Sequence, residues 1–282
     1  MFAGALGLGQ REIHVFERAA ALEIKSRLKG DKAQVSVEAV PDGLGILWGA
    51  FDRATISASH FEVDGLPLFV EPERSKAGRC GNLEIKLRDF KLKGLRVESL
   101  SAQIPACRYD RGLALHDKKF RLSRSGTGTG SVRVLEDDLA DFIKLKFHEI
   151  KSVSVKVHDG IVWVEGFGEF LLIKSNFEVV ASLATVGGTQ LYLTDAKVWF
   201  DWVPAAQVAT ESLLKLLNPV VDFNKDLGLL DTMKVETILL EDGVLEARGK
   251  TKIPSRPPVT VLPKSPESFG RVGPSDFLSS FL

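Results

Sequence analysis

The chain has 282 residues, in which 37 Lys and Arg are balanced by 37 Asp and Glu, and 44% of the residues are hydrophobic. Nucleic-acid binding usually requires an excess of basic residues, which this chain lacks, and its hydrophobic content excludes a disordered chain. No apolar run reaches the roughly 18 residues that a membrane-spanning helix needs. We therefore expect one large or two modest globular domains, soluble or peripheral to a membrane, with no nucleic acid as partner.

The first half of the chain combines one helix with a series of strands. Apolar residues at helical spacing predict a helix over 11–29, which ends before Gly30. From Ala33 the apolar period changes to two, as in strands. This period predicts strands at 33–40, 51–63, 82–100, 112–122 and 130–135. Within 82–100 the apolar residues change from odd to even positions, which predicts a β-bulge and a bend near Asp89.

The second half of the chain alternates helices with strands. Carboxylates at 136–138 precede an apolar series that predicts a second helix, because negative charge is favoured at a helix N-terminus. Strands are predicted at 169–182 and 189–203. Pro204 is predicted to be the first residue of a third helix, over 204–217.

Two Asp-Gly turns predict two β-hairpins. The Asp159-Gly160 turn pairs Val157 with Val162 on one face, and the Asp242-Gly243 turn is flanked in the same way. Each hairpin is preceded by a helix, and a further Gly follows six residues after each turn Gly. Chance recurrence of a common turn is the favoured explanation of this repetition, and duplication of a helix-and-hairpin unit is the alternative.

Composition divides the chain into three parts. Residues 1–10 are an apolar N-terminal segment that lacks the basic residues and the length of a secretory signal. Residues 11–253 form the predicted α+β domain. Residues 254–282 are rich in Pro and are predicted to be an extended linker with a short apolar end.

The sequence contains no motif that indicates catalysis, a metal or a cofactor. The glycine run at 126–130 resembles a phosphate-binding loop, but strand spacing follows it where a helix is needed. We therefore predict a flexible connection between strands there. The five histidines show no metal-binding spacing, and no nucleophile motif is present. These observations predict a protein that is not an enzyme and that holds neither metal nor cofactor.

The two cysteines, Cys80 and Cys107, do not form a recognisable site. Two buried free thiols are the commoner outcome in a chain of this size. A single disulfide in an oxidising compartment is the alternative.

Several predicted strands carry bulky apolar residues on both faces. Ile161 and Trp163 alternate with valines, and Trp199 precedes Phe200. Antiparallel sheets usually keep one polar face, so two apolar faces need a second cover: helices, another sheet or a ligand. Trp48 follows an apolar loop and belongs to the residue type favoured at lipid headgroups. Core packing is the simpler explanation for any single one of these residues, whereas together they favour a cavity.

The order of these elements resembles the LmeA-type bacterial phospholipid-binding family, which is similar to tubular lipid-binding (TULIP) domains. The resemblance rests on segments 41–56, 131–143 and 218–223, and it covers about residues 11–253. It implies an α+β fold in which a long helix packs on a strongly curved antiparallel sheet and forms an elongated apolar groove.

The same resemblance implies no catalytic residues. Its motif residues are interpreted as structural caps and packing; they are Glu136, Asp137, Asp138, Leu139, Asn218, Pro219 and Phe223. Members generally carry an export signal or an anchor, which residues 1–10 do not show. The implied location is the cell envelope or the periphery of a membrane.

The leading hypothesis is that the protein binds a phospholipid or another long-chain amphiphile at a cell-envelope membrane without catalysing a reaction. Transfer of the bound amphiphile is an extension of this hypothesis. Each buried methylene contributes about 0.8 kcal/mol, so a chain of about 16 carbons offers roughly 12 kcal/mol before ordering costs. The alternative is a structural or interaction protein with a filled core and a Pro-rich tail that recruits a partner. The predicted lipid-binding residues are Leu139, Phe142, Ile143, Phe177, Val198, Phe200, Trp202, Leu213 and Leu217.

Overall fold

The computed structural model describes residues 2–72, 77–117, 119–170 and 173–256. Within these ranges three α-helices form: α1 (Phe2–Lys25), α2 (Glu136–Lys146) and α3 (Gln207–Leu217). The strands are β1 (Gln34–Pro41), β2 (Ala50–Val63), β3 (Ala77–Leu92), β4 (Leu95–Asp110), β5 (Leu122–Arg124), β6 (Gly128–Leu135), β7 (Ile150–His158), β8 (Ile161–Phe170), β9 (Ile173–Val186), β10 (Gln190–Phe200), β11 (Val203–Pro204), β12 (Val221–Asp222), β13 (Met233–Glu241) and β14 (Val244–Thr251).

These strands form two sheets. The large sheet has the order β1-β2-β3-β4-β6-β14-β13, with β5 paired to β4. The small sheet has the order β11-β10-β9-β8-β7, with β12 paired to β10. Neighbouring strands are antiparallel except β2 and β3, which are parallel. The prediction of antiparallel sheet is therefore confirmed.

The predicted architecture, a long helix packed on a strongly curved antiparallel sheet around an elongated groove, is wrong. The chain is mostly β, its sheets are not strongly curled, and the helices flank two sheets. The helical signal in the first segment was real: α1 packs against β1 and the π-helical turn at Leu113–Asp117, and its Phe16 ring contacts Phe51 of β2 and Tyr109 of β4. The predicted architecture contained no second sheet, which the strands within 150–222 form.

Helix α1 differs from the predicted helix at both ends. It begins at Phe2 and ends at Lys25, so the segment predicted to be separate belongs to a continuous helix, with Met1 outside the described residues. Its apolar stripe is confirmed, because Phe16, Ala20 and Ile24 are buried against the large sheet.

Several predicted boundaries also differ from the structure, including that of the predicted strand 169–182, which crosses from β8 into β9. The predicted strand 82–100 is two strands joined by a turn at Lys93-Gly94, whose φ angles are +46° and +93°. Lysine is uncommon at positive φ, so the turn signal was weak. The predicted strand 112–122 is mostly the π-helical turn, and Pro204 ends β11 rather than beginning α3.

The phase change predicted at Asp89 is confirmed, but its cause differs. Asp89 has a φ of +46°, and Leu83 before it and Phe90 after it are buried on the same face. Strands β2 and β4 keep a constant register with β3 through this point, so no extra residue is inserted. The neighbouring His60 of β2 has a φ of +57°. Adjacent strands therefore change phase together.

Both predicted Asp-Gly hairpins are confirmed in register. Val157 pairs with Val162 in one, and Leu240 pairs with Leu245 in the other. The two turns also bind each other, because the Gly160 N–H donates to the Leu240 carbonyl at 3.0 Å and the Gly243 N–H donates to the Val157 carbonyl at 2.8 Å. This reciprocal contact links the small sheet to the large sheet.

Candidate ligand cavity

An apolar cavity of about 200 Å³ lies against the inner face of the large sheet. Strands β2, β3, β4, β6 and β14 form its floor. Its other walls come from the end of α1, the 66–68 and 227–232 loops, and parts of β10 and β12. The cavity lies between two core clusters, one around α1 and one between the two sheets, and Leu28 and Leu100 pack against both.

Two rows of cross-strand neighbours make the floor of the cavity. The first row runs Ala58, Leu87, Leu100, Val132 and Ala247 across five strands. Leu87, Leu100 and Val132 are only half-buried in these positions, although side chains on the inner face of a sheet are normally covered.

The second row explains why space remains above the floor. It joins Ile56, Ile85, Ala102, Gly130 and Gly249. Ala102 and Gly130 line the cavity and carry little bulk, whereas Gly249 lies outside the lining, where a Cβ would meet the Lys234 carbonyl. Gly128 and Gly130 lie in β6 rather than in the predicted flexible connection.

The lining of the cavity carries no charged side chain among the described residues. Its polar members are Ser101, Ser131, Thr232 and Thr251. A surface of this composition offers no acid, base or ion ligand and favours hydrocarbon, because burying an unpaired polar group is costly. No group of three His, Cys, Asp or Glu residues that could hold a metal is found in the described ranges.

The predicted lipid-binding residues are not brought together in this cavity. Leu139 of α2 lines it. Phe142, Val198 and Leu213 are buried in the core between the sheets, where Phe200 packs half-buried. Ile143 and Leu217 line a separate void of about 20 Å³.

Phe177 is buried in the core between the sheets, and Trp202 lies at the surface. They line a surface hollow together with Trp199, and the Trp202 side chain is 76% exposed. The hollow also holds Glu165, Glu178 and Asn176, so it differs in polarity from the apolar cavity.

Two of the motif residues interpreted as structural, Glu136 and Asn218, make structural contacts, whereas Leu139 also lines the cavity. Glu136 accepts hydrogen bonds from the Val157 N–H and from Lys156, both at 2.9 Å, and so joins α2 to β7. Asn218 accepts from the Leu193 N–H and donates to its carbonyl. Phe223, by contrast, lines the cavity.

The two cysteines are free and buried, so the prediction of unpaired thiols is confirmed. They lie directly opposite each other on β3 and β4. Burial raises the pKa of Cys80 to about 12 and that of Cys107 to about 11. Both are therefore protonated at neutral pH, and neither is a nucleophile.

The 64–70 segment, which follows β2, forms one edge of the cavity. Leu66 and Pro67 line the cavity on one side and a surface hollow of about 390 Å³ on the other. The Arg27 guanidinium donates to the Pro67 carbonyl at 2.9 Å. The Val70 N–H donates to the Pro254 carbonyl at 2.9 Å, which fixes the end of the segment.

A chain of ion pairs supports this edge. Arg27 Nη2 lies 2.7 Å from Glu23 Oε1, and Arg121 contacts both Glu23 and Glu71. Arg256 Nη2 lies 3.2 Å from Glu71 Oε1. Three guanidinium groups therefore face two carboxylates.

Glu23 is the most strongly held carboxylate of this chain of ion pairs. Burial acts to raise its pKa, but hydrogen bonds from the Phe120 N–H and Arg121, with the charge of Arg27, outweigh burial and lower the pKa. The stabilisation that ionised Glu23 gives the folded protein is therefore complete above about pH 4.5, the usual pKa of this carboxyl in the unfolded chain. It is lost as the pH falls through the lower pKa that Glu23 has in the folded protein.

Replacing Glu23 by Gln is expected to lower the free energy of unfolding by about 1–3 kcal/mol at pH 7, because partly buried donors lose a charged acceptor. The loss of stability on acidification below about pH 4.5 becomes shallower than in the wild type. Urea unfolding at a series of pH values measures both effects. Glu98→Gln is the matched control, since its pair with Arg133 is about half exposed and we expect a change under about 0.5 kcal/mol.

None of the protein-family models, curated proteins and solved structures compared with this chain matches it. Within the described ranges, no helix combines the length and the apolar character needed to span a membrane. The geometry and composition of the cavity therefore carry the functional argument.

Proposed function

We propose that this protein binds the hydrocarbon chain of an amphiphile in the apolar cavity, without catalysing a reaction. The observation that carries the proposal is a cavity of about 200 Å³ whose lining has no charged side chain among the described residues. An empty apolar space inside a protein costs stability, and a hydrocarbon guest restores the lost contacts.

The volume limits the part of the guest that is enclosed. An apolar cavity of about 150 Å³ is enough for benzene, so by proportion the 200 Å³ cavity holds roughly eight carbon atoms. Eight methylenes contribute about 6 kcal/mol before association costs. This is about half of what a whole 16-carbon chain offers, so tight binding requires contacts outside the cavity.

A membrane is the proposed source of the amphiphile. The resemblance to a phospholipid-binding family favours a phospholipid and a cell-envelope location. A second, structural observation supports membrane contact: the 3₁₀-helix at Gly43–Trp48 exposes Leu44 and Trp48 at 77% and 69%. Arg79 and Arg108 line a hollow beside Trp48. Exposed aromatic and basic groups together favour the headgroup region of a membrane.

The test is direct. Protein purified without detergent is analysed by native mass spectrometry, then extracted with organic solvent, and the apo protein is offered liposomes of phosphatidylglycerol and phosphatidylethanolamine. We expect a co-purifying or acquired lipid in one-to-one ratio. Recovery of no lipid, together with no uptake from liposomes, would reject the proposal and favour the structural alternative.

A further inference from the structure

The surface hollow beside the 64–70 segment is the feature that extends the proposed function furthest. It has a volume of about 390 Å³ and shares Leu66 and Pro67 with the apolar cavity. Only these two residues appear in both linings, so a short length of chain separates the two spaces. A molecule that passes this segment would place its polar end in the hollow and its apolar end in the cavity.

The hollow is basic. Arg27 and Arg256 line it, and none of its described lining residues is a carboxylate. Their partners Glu23 and Glu71 lie outside this lining and are shared with Arg121. The hollow therefore presents two guanidinium groups on the outer side of Leu66 and Pro67, and the uncharged cavity lies on their inner side.

The two arginines are held in place without the guest. Arg27 is anchored at the Pro67 carbonyl and at Glu23, and its side chain is 23% exposed. The Arg256 guanidinium lies 5.7 Å from the centre of the Phe69 ring, and its backbone N–H donates to Val70. Guanidinium groups held in this way recognise phosphate and carboxylate by paired hydrogen bonds.

We propose that this hollow binds the anionic headgroup, a phosphate or a carboxylate, of the amphiphile whose chain occupies the cavity. This inference rests on the proposed function. A headgroup site would also add to the binding free energy of the guest, because eight enclosed methylenes alone do not give tight binding once association costs are subtracted.

The experiment titrates the full chain with three probes that share one tail: octyl phosphate, octanoate and 1-octanol. Isothermal titration calorimetry compares the wild type with Arg27→Gln and Arg256→Gln. Arg248→Gln is the matched control, because Arg248 is an exposed arginine of β14 paired with Glu246. We expect both Arg27→Gln and Arg256→Gln to bind one of the anionic probes about tenfold more weakly than the wild type does. We expect both to bind 1-octanol as the wild type does.

The outcomes separate the two proposals. A greater loss for octyl phosphate assigns the site to a phosphate headgroup, and a greater loss for octanoate assigns it to a carboxylate. If 1-octanol binds but the anions gain nothing from Arg27 and Arg256, the headgroup site is rejected and the cavity proposal stands. If no probe binds the wild type, the proposed function itself fails. Should Arg27→Gln not fold, Arg256→Gln decides, since its side chain is 53% exposed.

Discussion

Ala102→Phe is expected to weaken the binding of 1-octanol about a hundredfold while leaving the protein folded. Ala102 lies on the cavity floor between Ile85 and Gly130. A phenyl ring occupies about 150 Å³, most of the 200 Å³ available. At least four methylene positions in the cavity are lost, which weakens the binding free energy of 1-octanol by about 3 kcal/mol, or roughly a hundredfold in affinity.

The stability of this variant tells a cavity from a filled core. A ring that enters empty space keeps or raises the free energy of unfolding, whereas overpacking a solid interior costs about 1–3 kcal/mol. Gln103→Phe is the matched control, because Gln103 is the next residue of β4 and is exposed on the opposite face. A destabilised Ala102→Phe with unchanged octanol binding would contradict the cavity.

Leu213→Ala and Leu100→Ala are expected to differ in stability although the chemical change is the same. Leu213 of α3 is 5% exposed in the core, so its truncation costs about 2–5 kcal/mol. Leu100 is half-buried and already faces the cavity. Its truncation removes fewer contacts and costs about 1–2 kcal/mol. Urea unfolding of the two variants and the wild type measures the difference.

Octanol titration of the same pair completes the comparison. Leu100→Ala changes the shape of the cavity and alters octanol affinity, whereas Leu213→Ala leaves it unchanged in the folded protein. The opposite pattern, with octanol affinity lost only in Leu213→Ala, would place the guest at α3, where sequence analysis had placed it.

The parts of the fold that sequence analysis predicted correctly are local. The Asp159-Gly160 hairpin and the apolar stripe of α1 depend on residues a few positions apart, and short-range periodicity records them. The Lys93-Gly94 turn was missed because only its glycine signals a turn. The error in fold class has a different origin, since a stripe on one helix does not specify which sheet covers it.

The cavity could not be located from the sequence because its floor is a set of long-range neighbours. Ile85, Ala102 and Gly130 come from three strands, and only their register brings them into one row. Sequence analysis instead chose the bulkiest apolar residues, such as Phe142, which fill the core. The half-buried row through Leu87 and Leu100 gave no usable signal, because its spacing in the sequence matches that of ordinary core strands.

The paired turns at Gly160 and Gly243 restrict how a guest can be exchanged. Each hairpin tip satisfies a carbonyl of the other, so separating the sheets would strand two backbone acceptors at once. Entry of the proposed guest by parting the two sheets at this end would therefore break both bonds.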